Sequence, residues 1–175
     1  MTARIRVLGI DPGYRLTGYG LIDTDGQQSR YVNSGKIPGV GSDPATRLKS
    51  IYFEIRRIVD EFHPDEVAVE KVFMHRNADS VLKLGHARAA AICGTFEHEL
   101  VIYEYAARLV KKSVVGRGNA DKVQVQHMVK ALLGIEAALG ADESDALAVA
   151  LCHAHTRPLG ALLEKSRVGA AGTQQ

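Results

Sequence analysis

Long hydrophobic runs are absent from the 175-residue sequence, although 46% of its residues are hydrophobic. The longest uninterrupted apolar run, residues 146–152, is far shorter than the roughly 20 residues that a membrane-spanning helix needs. The N-terminus offers no secretory segment, because Asp11, Gly13 and Arg15 interrupt its hydrophobic stretch. We therefore expect a cytoplasmic protein without a membrane span.

Cysteine is also scarce, with Cys93 and Cys152 as the two examples. Both lie in apolar helical patterns, where a free thiol behaves as a small hydrophobic group. The sequence therefore predicts neither a disulfide nor a zinc site. Sustained heptads and repeats of roughly 20–50 residues are lacking as well, which disfavours coiled-coil and repeat architectures. Ordinary apolar and charged contents favour one compact domain over a disordered chain.

The net charge is only +2, but the basic residues are unevenly distributed. Residues 71–88 carry four basic side chains against one acidic side chain, and residues 104–134 carry six against two. Two basic stretches on one surface would suit the phosphate backbone of a nucleic acid. Charge alone equally allows solvated helix faces.

The order of predicted elements indicates an α/β fold. Asp25-Gly26 predicts a hairpin within an antiparallel meander of three strands, and helices and strands then alternate. The strands are predicted at 4–11, 17–23, 28–37, 66–70 and 101–105, and the helices at 43–62, 77–100, 106–112, 121–133 and 142–155. This plan implies a mixed five-stranded sheet flanked by helices on both faces.

A change in composition suggests where the domain ends. Pro158 and several glycines follow the last predicted helix, and such segments are typical of loosely ordered termini. We assign residues 1–156 to one domain and residues 157–175 to a flexible C-terminal tail.

Four carboxylates stand where chemistry gathers in such folds, beyond the carboxyl ends of the strands. Asp11 closes the first strand and Glu70 the fourth, and a crossover helix between them allows these strands to be parallel neighbours. Asp142 and Asp145 begin the last helix, three residues apart and hence on one face. The four side chains are therefore predicted to converge.

Clustered carboxylates repel one another unless a cation supplies the missing charge. Mg²⁺ prefers hard oxygen ligands, and two ions about 3.5–4 Å apart would serve an in-line phosphodiester hydrolysis. Each acid also has a structural alternative. Asp11 could begin a turn, Glu70 could pair with Lys71 or Arg76, and Asp142 and Asp145 could cap the helix. The catalytic interpretation rests on all four together.

The sequence closely resembles the RuvC family of Holliday-junction resolvases. The resemblance lies in LGIDPGYRLTGYG at 8–20, EKVFM at 70–74 with NADS at 77–80, EYAAR at 104–108, KVQVQHM at 122–128 and DESDALA at 142–148. These stretches occur in the family's order and span nearly the whole chain as far as His155. The family's acidic tetrad corresponds to Asp11, Glu70, Asp142 and Asp145.

This resemblance implies a ribonuclease-H-like fold and a homodimeric endodeoxyribonuclease that requires Mg²⁺. Two ions per subunit are expected, with Mn²⁺ as a substitute. The enzyme would nick two opposed strands of a four-way junction at preferred sequences, during recombination and repair, together with the RuvA–RuvB branch-migration complex. A two-fold symmetric junction suits a two-fold symmetric dimer. The predicted helix at 77–100 is the interface candidate, through Val81, Leu84, Ala87, Ala91, Ile92 and Thr95, with packing on the sheet as the alternative.

Five side chains are predicted to contact DNA. Phe73 would stack on bases, with a place in the core as its alternative. The other four are candidates for phosphate contacts, with solvated surface positions as the alternative: Arg76, Lys111, Lys112 and Lys122. The resemblance strengthens Lys122 in particular.

Three other functions compete with this prediction. An actin-like or sugar-kinase-like nucleotide-binding protein also has an Asp-x-Gly first hairpin, but it needs two lobes, for which 175 residues are too few. A non-catalytic junction-binding protein would use the acids structurally. A relative acting on RNA is disfavoured by the motifs alone.

Overall fold

The fold is that of a computed structural model describing residues 4–72 and 77–171, with side chains described as far as residue 157. Its five strands are β1 (Ile5–Asp11), β2 (Leu16–Thr24), β3 (Ser29–Pro38), β4 (Glu66–Glu70) and β5 (Val101–Tyr105). They form one sheet in the order β3-β2-β1-β4-β5. β1 is antiparallel to β2 and parallel to β4, and β4 is parallel to β5, so the predicted mixed sheet is confirmed.

The hairpin between β2 and β3 forms where Asp25-Gly26 predicted it. Gly26 has a φ of 89°, a left-handed conformation that glycine adopts without strain. The Asp25 carboxylate accepts hydrogen bonds from the backbone N–H groups of Gln27 and Gln28 at 3.0 and 2.8 Å. The turn is therefore stabilised by its own side chain, which is the reason such turns can be read from sequence.

Five helices accompany the sheet in the part of the chain that the structure describes: α1 (Pro44–Phe62), α2 (Ala78–Cys93), α3 (Ala107–Val115), α4 (Lys122–Leu133) and α5 (Ala141–Ala171). The start of α1 is as predicted, since the Asp43 side chain accepts a hydrogen bond from the Thr46 N–H at 3.0 Å. It ends at His63, whose left-handed φ of 47° precedes Pro64.

α2 is shorter than the helix predicted at 77–100. It ends at Gly94, and a separate 3-10 helix (Phe96–His98) leads to β5. A Cβ at Gly94 would lie 2.7 Å from the Tyr52 carbonyl oxygen, so α1 packs against the chain where α2 stops. The Thr95 hydroxyl donates to the Ile92 carbonyl and helps to close the turn. Periodicity did not reveal this break, because apolar residues continue beyond it.

Helices cover both faces of the sheet, as predicted. α1 and α2 pack on one face over a core that includes Leu8, Ile10 and Val67. α3, α4 and α5 pack on the other face, over Val7, Ile22 and Ala68. Alternate residues of β1 thus face opposite cores, which is the two-residue period of a strand buried on both sides.

α5 extends beyond its predicted end near His155. Its backbone is helical to Ala171, where the sequence predicted a loose tail from residue 157. Residues with high helix propensity follow Pro158, with Ala, Leu, Leu, Glu and Lys at 161–165, and these outweigh the breakers on which the prediction relied. No helix within residues 4–72 and 77–171 is long and apolar enough to cross a bilayer.

Candidate active site

Asp11 and Glu70 lie side by side at one edge of the sheet. β1 and β4 run parallel, and their last paired residues are Ile10 and Val69, so the next residue of each strand is one of the two acids. Gly9 and Ala68 are also paired and face α5, and the two-residue period turns Asp11 and Glu70 to that same face. The predicted convergence of these two carboxylates follows from strand register alone.

Glycines under the first turns of α5 bring the other two acids to this edge. A Cβ at Gly18 would lie 2.1 Å from the Asp142 carbonyl oxygen, and one at Gly9 would lie 2.2 Å from the Ala146 carbonyl oxygen. Side chains at these positions would hold the helix away from the sheet. Because Gly18 is paired with Asp11, the start of α5 lies directly over the end of β1. The sequence signal for this close approach is the pair of glycines, Gly9 and Gly18, on adjacent strands.

The crowding of the acids affects the pKa values of Asp11 and Glu70. Burial is the main cause that raises the pKa of Asp11 to about 7, with the charges of Glu70, Asp145 and Asp142 contributing and that of Lys122 opposing. Burial also raises the pKa of Glu70, with Asp145 adding to the effect while Lys111 and Lys122 oppose it. All four predicted acids therefore share one electrostatic environment.

Two lysines supply positive charge to this environment. The Lys122 ammonium donates a hydrogen bond to Asp145 at 3.1 Å, and this bond is the main cause of the raised pKa of Lys122. Its position is secured by a capping box at the start of α4, in which Asp121 and Gln124 cap each other's backbone N–H groups. Lys111, on α3, lines the same cavity.

Two small cavities meet at the acids. The cavity on the α3–α4 side has a volume of about 260 Å³ and includes Asp145, Lys111 and Lys122 in its lining. A second cavity of about 110 Å³ includes Pro12, Lys71 and Leu84. Asp11, Glu70 and Ala107 line both. Asp11 and Glu70 therefore stand between two openings, whereas Asp145 lines one of them and Asp142 lines neither.

The remaining predicted contacts have different outcomes. Lys112 is exposed and is not among the residues that line either cavity at the acids. Phe73 and Arg76 lie outside the described residues. The roles of Lys111, Lys112 and Lys122 in binding DNA stay predictions.

The donor set fits a hard divalent cation. Four carboxylates offer oxygen ligands, and burial together with repulsion between the acids disfavours the ionised form of Asp11, which a cation would stabilise. Within the described part of the chain, however, no three His, Cys, Asp or Glu side chains are already close enough to hold one ion. The Lys122 ammonium instead occupies the neighbourhood of Asp145. Binding of a cation would therefore require the carboxylates to rotate toward a common centre.

A buried polar cluster beside the sheet was not predicted from the sequence. The His153 ring is fully buried and makes hydrogen bonds with Glu66 at 2.5 Å and with the Tyr105 hydroxyl at 2.7 Å. His155 lies elsewhere, next to the Ser113 carbonyl, as expected for residues two apart on a helix. The sequence signal for this cluster was Glu66, because an acid at an inward-facing position of β4 needs a hydrogen-bonding partner.

Comparison with known proteins decides the family. A family model described as crossover junction endodeoxyribonuclease RuvC matches residues 7–153. The chain belongs to the RuvC family. A RuvC from Methylococcus capsulatus is 57% identical over 152 residues, which cover 87% of this chain and 92% of the relative. A RuvC from Hahella chejuensis is 53% identical over 153 residues, covering 87% and 89%.

The solved RuvC structures share this fold. The structure of Thermus thermophilus RuvC in complex with Holliday junction substrate has a TM-score of 0.82 at 33% identity, covering 89% of this chain and 96% of that one. Another T. thermophilus RuvC structure has a TM-score of 0.80 at 31% identity. The predicted ribonuclease-H-like RuvC fold is therefore confirmed.

Proposed function

We propose that this chain is a metal-dependent endodeoxyribonuclease that resolves four-way Holliday junctions by paired symmetric nicks. The observation that carries the proposal is the meeting of Asp11, Glu70, Asp142 and Asp145 at the end of β1, in a chain with RuvC-family sequence and fold. The process served would be homologous recombination and DNA repair, in the cytoplasm.

The chemistry follows from the residues at the site. Water attacks the scissile phosphorus and one P–O bond breaks. The nick leaves one new strand end with a phosphate and the other with a hydroxyl. Two Mg²⁺ ions, or Mn²⁺ in their place, held by the four carboxylates would activate the water and stabilise the departing oxygen. Lys122 and Lys111 are placed to draw the negatively charged phosphate into the 260 Å³ cavity.

The protonation state of the Asp11 carboxyl should depend on metal binding. With a pKa of about 7, its carboxyl is partly protonated at neutral pH when the carboxylates lack a cation. A cation would favour the ionised form, so metal binding should release a proton. An asparagine at this position keeps the shape of the side chain but offers no anionic ligand.

The decisive experiment compares a synthetic four-way junction with a linear duplex of matched sequence, each with Mg²⁺ and with chelator. We expect symmetric paired nicks only in the junction and only with metal. Asp11→Asn should bind the junction and fail to cleave it, whereas Asp60→Asn, which removes an exposed acid on α1, should cleave normally. Undiminished cleavage by Asp11→Asn would overturn the catalytic assignment, and cleavage in chelator would overturn the metal dependence.

We further propose that the active form is a homodimer assembled through α2. The predicted interface needs correction, because Ala87, Ala91 and Thr95 are buried within the chain's own fold. The opposite side of α2 and the 3-10 helix after it present Leu82 and Phe96, which are 59% and 58% exposed. A dimer assembled along α2 would remove both apolar side chains from water.

Sedimentation of a Leu82→Glu, Phe96→Glu double variant tests the dimer. We expect a monomer that still binds DNA, whereas Leu132→Glu, at a partly exposed position of α4, should leave a dimer. An unchanged dimer in the double variant would exclude this face.

We also propose the RuvA–RuvB complex as a partner, as the family resemblance implies. Addition of purified RuvA and RuvB to the cleavage assay should accelerate resolution, and an unchanged rate would contradict this partnership.

A further inference from the structure

A third and larger groove continues from the acids on the side away from Lys122. It has a volume of about 780 Å³ and lies between the β1–β2 turn and the first turns of α1 and α2. Leu84 lines both this groove and the 110 Å³ cavity that contains Asp11 and Glu70. The three openings thus form one track with the acids in the middle.

Arginines equip this groove for an anionic ligand. Its basic side chains are Arg15, Arg47 and Lys83, and we call this opening the arginine groove. Lys83 is paired with Asp79 at 2.6 Å. Among the side chains that the structure describes, Arg15 and Arg47 have no carboxylate within 4.0 Å. Their guanidinium groups are therefore available to phosphate oxygens.

The acids of the groove do not cancel this charge. Asp43 is engaged as the cap of α1, accepting hydrogen bonds from the Thr46 N–H at 3.0 Å and the Thr46 hydroxyl at 2.6 Å. Asp79 is engaged by Lys83. Ser42 and Ser80 also line the groove and offer hydroxyl donors of the kind that contact phosphates.

The backbone that bears Arg15 and the guanidinium of Arg47 are positioned before any ligand arrives. The turn bearing Arg15 is closed by Thr17, whose hydroxyl donates to the Gly13 carbonyl at 2.9 Å. The Arg15 carbonyl accepts a hydrogen bond from the Gly39 N–H at 2.9 Å, which ties the turn to the end of β3. The Arg47 guanidinium lies 5.7 Å from the centre of the Tyr14 ring. Positioned donors lose little entropy on binding.

We infer that the arginine groove holds the backbone of the cleaved DNA strand on one side of the scissile phosphate, while Lys111 and Lys122 hold the other side. A strand lying across Asp11 must leave the site in both directions, and this track joins the acids to a second set of basic side chains. Arg15 is four residues from Asp11 on the same turn, so it is placed to fix the strand's register. The inference rests on the proposed function and adds the path of the strand.

The test compares an Arg15→Gln, Arg47→Gln variant with an Arg30→Gln, Arg57→Gln control. Arg30 and Arg57 are exposed arginines outside the groove lining, so the control removes the same charge. Junction binding is measured in chelator at several salt concentrations, and single-turnover cleavage is measured with Mg²⁺. Each lost phosphate contact should reduce the slope of log affinity against log salt by about 0.9, hence by roughly 2 for the groove variant. We expect at least about tenfold weaker binding than in the control at about 0.1 M salt.

Neutral phosphates locate the contact. Single methylphosphonates are placed on either side of the scissile bond. On the side held by the arginine groove, they should weaken junction binding by the wild type and leave binding by the groove variant unchanged. Equal salt slopes in the groove variant and the control, or insensitivity of the wild type to every methylphosphonate on that side, would overturn the inference. Thermal unfolding checks the folding of each variant, and Arg15→Glu alone, at an exposed position, provides a second variant.

The outcomes separate this inference from the proposed function. Failure of the wild type to cleave junctions would refute the proposed function, whatever the groove does. Normal cleavage together with control-like behaviour of the groove variant would refute the groove assignment alone. A thermal shift by deoxynucleoside monophosphate that the groove variant loses, without any loss of junction binding, would assign the groove to free nucleotides and overturn the inference.

Discussion

The ammonium of Lys122 donates a hydrogen bond to the Asp145 carboxylate at 3.1 Å, joining the first residue of α4 to α5. This bond places a positive charge beside Asp11, whose pKa is raised by burial and by the charges of the other three acids. Lys122 is 74% exposed, so the charge can also reach a phosphate that enters from solvent. We therefore propose that Lys122 competes with the cation for Asp145 and also contacts the phosphate of the substrate.

Replacement of Lys122 should separate these two roles. We expect Lys122→Met to lower the single-turnover cleavage rate by about 10²-fold, because a charged donor to the scissile phosphate is lost. The metal concentration for half-maximal rate should not rise, because the competing ammonium has also been removed. Lys122→Arg should recover part of the rate, and a titration of cleavage against Mg²⁺ measures both effects. A Lys122→Met enzyme with the wild-type rate would exclude the phosphate contact.

The pKa of Asp11 predicts how the stability of the metal-free protein depends on pH. Between about pH 4 and 7 the folded state binds more protons at this group than the unfolded state, in which an aspartate has its ordinary pKa of 3.8. This contribution to stability therefore falls as pH rises through that window, and above pH 7 the buried charge opposes folding. Asp11→Asn should raise the Tm on the order of 5 °C at pH 8 in chelator and have little effect near pH 4. Equal shifts at both pH values would contradict the raised pKa.

Gly18 is predicted to control the position of the acids through α5. A Cβ at this position would collide with the Asp142 carbonyl oxygen, so Gly18→Ala must displace the start of the helix or its strand. We expect destabilisation of about 2–4 kcal/mol in denaturant unfolding and loss of cleavage. At Gly85, within α2, an added Cβ meets no atom within 4 Å, and Gly85→Ala should be neutral or stabilising. Wild-type stability and cleavage in Gly18→Ala would show that α5 does not depend on this close approach.

Ser144 offers a gain in stability beside the site. Its hydroxyl is buried and has no hydrogen-bond partner among the described residues, whereas Thr17, equally buried, bonds to Gly13. Removing an unsatisfied buried hydroxyl avoids a desolvation penalty of about 1–3 kcal/mol. Ser144→Ala should therefore raise the Tm by a few degrees, and Thr17→Val should lower it. Thermal unfolding of the two variants compares them directly, and a lower Tm for Ser144→Ala would reveal a partner for the hydroxyl.

Local patterns explain why so much of the fold could be predicted. A strand buried on both faces, an Asp-Gly hairpin and a capped helix are each stabilised by residues close in sequence, so β1, the β2–β3 turn and α1 were all predicted correctly. The meeting of Asp11 and Glu70 also follows from sequence, because two parallel strands that end in acids must present them at one edge.

Contacts between distant parts of the chain decided the rest. α2 stops at Gly94 because α1 approaches there, and the buried side of α2 is the one that periodicity alone offered as an interface. The bond between Lys122 and Asp145, and the arginine groove assembled from three separate segments, depend on how helices are seated on the sheet. Periodicity records whether a residue is buried, but the identity of its neighbour is set by packing. The sequence by itself therefore determined the strands, the acids and the family, and only the tertiary structure decided which lysine and arginine side chains lie near the acids.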